Sequence, residues 1–63
     1  MADITQSTSA SNVNFSADTP DADQWMTERY GSHTKDFILP DQQVEATAFV
    51  AIAMARGFSI RFT

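Results

Sequence analysis

The segment Gln42 to Arg56 runs without glycine or proline, is rich in alanine, carries Glu45 near its start and Arg56 at its end, and is followed by Gly57. These features predict a helix, because alanine has the highest intrinsic propensity, the two charges complement the helix dipole and glycine suits the stop. Val44, Ala48, Ala51, Ile52 and Ala55 fall on one stripe, which Phe49 widens. A helix apolar over so much of its circumference needs a sheet to cover it, and small residues let it approach closely. The next residues, Phe58 to Thr63, alternate. That period predicts a strand with Phe58, Ile60 and Phe62 turned to the core and Ser59, Arg61 and Thr63 turned out.

Earlier elements are shorter. Val13, Phe15 and Ala17 alternate with Asn14 and Ser16, as in a strand. Thr19-Pro20-Asp21-Ala22-Asp23 has the make-up of a helix start: a capping threonine, proline at the first helical position and acids against the positive end. Ala22, Trp25, Met26, Arg29 and Tyr30 then share one helical face, and Gly31 is placed to end it. A hairpin is the alternative, with Gln24 to Tyr30 and Thr34 to Leu39 pairing around Gly31-Ser32-His33. Asp36 to Leu39 reads as a strand closed by Pro40, and Asp41 as the cap of the long helix. Residues 1–12 (MADITQSTSASN) are rich in Ser, Thr, Ala and Asn and have little to bury. We expect them to form a disordered arm, dispensable for folding and binding. The expected fold is α+β: one domain over 13–63, an antiparallel sheet of about three strands, one main helix, and a second short helix or hairpin.

Size and residue inventory exclude several functions. Sixty-three residues make one small domain. With no cysteine there are no disulfides and no thiolate metal sites, and one histidine, His33, cannot hold zinc alone. Asp18, Asp21 and Asp23 are spaced as carboxylates in calcium loops are, but the glycine and distal glutamate of an EF-hand are missing. No glycine-rich phosphate loop is present and His33 sits in a predicted surface turn, so we expect neither catalysis nor a cofactor. No apolar run approaches the ~20 residues of a membrane span, and the N-terminal residues lack the basic start of a secretory signal. A soluble, non-exported protein is expected.

Charge is segregated along the chain. Asp18, Asp21, Asp23, Glu28, Asp36, Asp41 and Glu45 are opposed within that stretch only by Arg29 and Lys35, a net of −5. Residues 46–63 contain no acid and two arginines, Arg56 and Arg61. Such an acidic stretch repels nucleic acid and attracts proteins built to hold it. Solubility alone is the plainer explanation of net charge. As a binding face, the acids Asp18, Asp21, Asp23, Glu28 and Asp36 would supply the attraction. Trp25 and Tyr30, with Met26, would be the apolar anchors if partly exposed beside them.

In size, acidity, lack of cysteine and the segment Asp18-Thr19-Pro20-Asp21-Ala22-Asp23, the chain resembles small phage-borne anti-CRISPR proteins of the type I systems. The resemblance implies an acidic DNA mimic that stops the Cascade complex from binding target DNA in the host bacterial cytoplasm. Residues 34–63, with the Gly57-Phe58 step into the last strand, also resemble the small podovirus inhibitors of host RNA polymerase. Either resemblance implies a partner with a basic surface, a Cascade subunit or the polymerase, and no direct contact with nucleic acid or membrane. A small phage structural or assembly protein is the third possibility.

Overall fold

The computed structural model describes residues 2–63, which form four strands and two helices in the order β1 (Ile4–Ser9), β2 (Asn12–Ala17), α1 (Pro20–Tyr30), β3 (Thr34–Ile38), α2 (Gln43–Ala55) and β4 (Ile60–Phe62). The fold is α+β. Its sheet has the order β3-β2-β1-β4, antiparallel except for the parallel pair β1 and β4, so it is mixed and one strand larger than expected.

The additional strand is β1. Residues 4–9 are not a disordered arm: they lie in the middle of the sheet, bonded to β2 on one side and β4 on the other. Ile4 is wholly buried, opposite Ala17 and Ile60. Three of the other β1 side chains can be polar because both helices pack against one face of the sheet and leave the other to solvent, while Gln6 and Thr8, opposite Phe15 and Val13, line a hollow on the helix face with Leu39, Gln43 and Val50. Thr5, Ser7 and Ser9 fall on that open face, beside Asn14, Ser16, Thr34 and Asp36 across the register. The turn Ala10–Ser11 joins β1 to β2, with Ala10 at φ 53, a left-handed conformation more usual for Gly or Asn.

Residues 20–30 are a helix rather than a hairpin strand. Thr19 accepts a hydrogen bond from the Ala22 N–H, Pro20 opens the first turn, and Gly31 closes it at φ 80 with its N–H on the Thr27 carbonyl. Helix α1 leaves the sheet after Ala17 and returns to Thr34, which pairs with Ser16, so both its ends lie at one end of the sheet. Helix α2 starts at the opposite end, after the cis Leu39–Pro40 bond, and leads back to Ile60 beside Ile4. Asp41 does not cap it. The N-cap is Gln42, whose side chain turns back and accepts from the Ile38 N–H (2.8 Å).

The core joins Ile4, Val13, Phe15 and Phe37 of the sheet to Ala22, Trp25 and Met26 of α1 and Ala46, Phe49 and Ala53 of α2. The buried stripe of α2 differs from the expected one. Val44 is 77% exposed, Ala48, Ala51 and Ala55 are exposed, and Ile52 is only half-buried. A helix apolar all round has no face chosen by polarity, so its largest side chain sets the rotation. That side chain is Phe49, stacked on Phe15 at 4.2 Å between centroids and in contact with the rings of Trp25, Tyr30 and Phe37. Phe62 is also not in the core. It is 66% exposed, because β4 is an edge strand and Phe62 lies opposite Gln6, past the cluster. Phe58 and Ile60 are half-buried against the core, Phe58 beside Trp25.

Asp3 locks three segments together. Its Oδ2 accepts from the Ser59 N–H (3.0 Å), its Oδ1 from the Thr19 hydroxyl (3.2 Å), and its carbonyl from the Asp18 N–H (2.8 Å). The Ser59 backbone bond, helped by the Thr19 and Ser59 hydroxyls and opposed by partial desolvation, holds the Asp3 carboxyl below its usual pKa.

Three substitutions test this account of stability. Phe49→Ala should cost about 3–5 kcal/mol, comparable to the whole stability of so small a domain, and abolish the cooperative unfolding transition read by Trp25 fluorescence. In dilute solution, Phe62→Ala should stay within about 0.5 kcal/mol of the parent. For Asp3, the folded pKa is depressed, so its contribution is present above the unfolded value of about 3.9 and is lost as pH falls through the folded value. Asp3→Asn should therefore lower the melting temperature at pH 7 and converge with the parent near pH 2. An equal deficit at both pH values would show that the carboxylate charge plays no part.

Candidate functional site

Helix α1 decides where most of the acids go. Its apolar positions Ala22, Trp25 and Met26 face the core, which turns Gln24 and Thr27 to solvent with Asp21, Asp23 and Glu28 around them. Asp18, Asp23 and Glu28 line one open groove with Ala17, Thr19, Pro20, Gln24 and Thr27, and no basic side chain contributes to its walls. Two of these carboxylates are steadied by neighbours one turn away. The Thr27 hydroxyl donates to Asp23 (3.1 Å) and the Gln24 amide to Glu28 (3.2 Å). Asp18 accepts from the Thr5 hydroxyl across the β1–β2 pair.

The remaining predicted residues are not assembled with that groove. Asp21 lies on the neighbouring flank, where it lines a second hollow with Gln24, Trp25, Glu28, Arg56 and Phe58. Arg56 thus brings a positive charge to one side of the acidic helix. Asp36 projects from the open face of the sheet, where the Asn14 amide donates to it at 2.7 Å. Trp25 is 7% exposed and Met26 fully buried, so neither is a surface anchor. The helical period that made Trp25 and Met26 conspicuous is the period of the core face.

Tyr30 is half-buried, but its surroundings are cationic. The Arg29 Nε–H donates to its hydroxyl (3.3 Å), and the Arg29 guanidinium and Lys35 ammonium each lie 5.8 Å from its ring centroid. It belongs to a separate hollow with Arg29, Lys35, Phe37, Glu45 and Ile52. The stretch that carries net −5 in sequence is therefore distributed over four surfaces: the α1 groove, the neighbouring flank with Asp21 and Arg56, the open sheet face, and the mixed-charge hollow at Tyr30.

Two residues of consequence were not among the expected site residues. Asp3 stands outside the acidic stretch and serves the fold through Ser59 and Thr19. Arg61, on the open sheet face, shares a hollow with Ala2, Thr5 and Asp18, so the acidic groove has a cation at its sheet end as well.

As chemistry, the α1 groove offers exposed carboxylates that accept hydrogen bonds and attract cations. Among the described residues, no three His, Cys, Asp or Glu side chains lie close enough together to hold a metal ion. No helix among the described residues is long and apolar enough to cross a membrane. Comparison with known proteins finds no family model, no curated protein and no solved structure that matches the chain.

Proposed function

We propose that the protein is an inhibitory binding module that lays the acidic side of α1 into a basic, nucleic-acid-holding surface of a host complex in the bacterial cytoplasm. The observation that carries this reading is the groove of Asp18, Asp23 and Glu28, walled without any basic group and fixed on a helix whose opposite side is core. Carboxylates presented from a rigid element keep their spacing when the partner approaches, so less ordering entropy is spent on binding. A cleft that evolved to hold phosphates carries a field that draws such a surface in. The resemblance to type I anti-CRISPR proteins makes Cascade the leading partner and exclusion of target DNA the mode of action, with bacterial RNA polymerase as the alternative. The apolar contribution comes from elsewhere than Trp25, which the fold has taken into its core.

The test is competition for DNA on purified Cascade and on RNA polymerase. Combining Asp18→Asn, Asp23→Asn and Glu28→Gln should reduce displacement more than tenfold. The same substitutions should change stability by only about 1–2 kcal/mol, since Asp23 also favours the helix start. Asp36→Asn, on the far side of the sheet, should compete like the parent. Displacement by the parent should weaken as salt rises to physiological strength, where the screening length is about 8 Å. A folded triple variant that competes fully across the salt series sinks the electrostatic reading.

A further inference from the structure

The two edges of the sheet are finished differently. On β3, the residues bonded inward to β2 and its flanks are His33, Lys35, Phe37 and Leu39, so Thr34, Asp36 and Ile38 turn their backbone groups outward. Three of these six groups are already engaged. The Ile38 N–H donates to the Gln42 side chain (2.8 Å), the Ile38 carbonyl accepts from the Gln42 N–H (2.8 Å), and the Thr34 N–H donates to the Ser32 hydroxyl (3.2 Å). On β4, Ser59 and Thr63 bond inward to β1 and its flank, and the parallel register Ile4↔Ile60 to Gln6↔Phe62 leaves Ile60 and Phe62 facing outward. Among the described residues nothing accepts from or donates to these outward groups. The β4 edge is thus the more open of the two, and it carries the exposed Phe62 ring, 66% accessible, next to half-buried Ile60 on the helix side.

We propose that a second copy of this chain covers this edge, its β4 pairing antiparallel with the first about a two-fold axis through Arg61. This inference is independent of the role given to α1. The edge is self-complementary in only one useful register. With Ile60 opposite Phe62 of the second copy, every outward N–H of the two strands meets an outward C=O, whereas a shift of two residues strands one of the pairs. In that register Phe62 of each copy lies across from Ile60 of the other, on the helix side, and the exposed ring is buried against an aliphatic side chain. Charge favours the same edge. Each chain carries net −4, yet residues 46–63 contain no acid, so two copies meet where their mutual repulsion is least. The axis does set Arg61 beside its own copy on the open face, a like-charge pair that Asp18, in the same hollow as Arg61, partly offsets.

This geometry is checkable because the chain has no cysteine. Arg61→Cys should form a disulfide between the two copies under mild oxidation and run at twice the 7.0 kDa chain mass. Directly opposed residues in a non-hydrogen-bonded pair fall within the Cα separation a disulfide accepts. Thr63→Cys, which the register places opposite Ser59 rather than itself, should cross-link at least tenfold more slowly. In sedimentation, the parent should dimerise reversibly, and Arg61→Thr should dimerise a few-fold more tightly. Phe62→Lys should stay monomeric with unchanged circular dichroism and Trp25 fluorescence. Cross-linking at 63 as fast as at 61 overturns the register. A parent chain that sediments as a monomer at every accessible concentration, in low and in high salt, overturns the dimer and leaves the edge to an extended segment of a different protein.

Discussion

Phe49 meets rings from three other elements of the core: Phe15 of β2, Phe37 of β3, and Trp25 and Tyr30 of α1. Among the described residues no other ring meets as many partners. There is no disulfide, and the buried cluster contains no polar or charged residue that could hold it by hydrogen bonds. Stability in a chain of this size rests on apolar area, and the aromatic side chains supply the largest share of it per residue. Once Phe49 is seated on Phe15, the rotation of α2 follows, and with it the exposure of Val44, Ala48 and Ala51. The seat of α1 follows as well, since Trp25 must reach the same ring.

Much of this was legible before any coordinates. Thr19, Pro20 and Gly31 mark both ends of α1, and the alanine-rich run marks α2, because caps and propensities act over a few neighbouring residues. What escaped the sequence was decided over longer distances. Strand β1 has one buried side chain, Ile4, and its turn carries Ala10 where Asn or Gly would have announced a hairpin. Its place in the sheet comes from backbone hydrogen bonds to two neighbours, which composition does not record. The rotation of α2 was hidden for a different reason. A helix apolar on every side has no moment to read, and only the presence of Phe15 beneath it selects a face.

The candidate site shows the same division. That Asp23 and Glu28 lie on the solvent side of α1 follows from the spacing of the core positions Ala22, Trp25 and Met26, which is visible in sequence. That Asp36 lies on the opposite side of the sheet, that Tyr30 is flanked by Arg29 and Lys35, and that Arg56 returns beside Asp21 and Glu28 depend on how β3 and the end of α2 come back in space. A net charge summed along a chain is therefore a poor guide to the field above its surface. The acidic face proposed here is one flank of one helix, bordered by two arginines that bound the region a basic partner can occupy without penalty.

The parallel pairing of β1 with β4 has a consequence for how the chain acquires its shape. Asp3 and Ser59, which bond to each other beside this pair, are separated by 56 positions. The β1–β2 hairpin closes over a two-residue turn and forms among neighbours, but its outer side stays unpaired through the synthesis of both helices. Closing that long loop costs entropy that is recovered only when β4 arrives, so the central strand of the finished sheet is an edge strand during translation. For that interval its row of Ser and Thr, rather than a row of Val and Ile, is what the nascent chain shows to its surroundings. A central strand with one apolar residue packs modestly in the native state, and it is a safer surface to leave uncovered while the rest of the protein is being made.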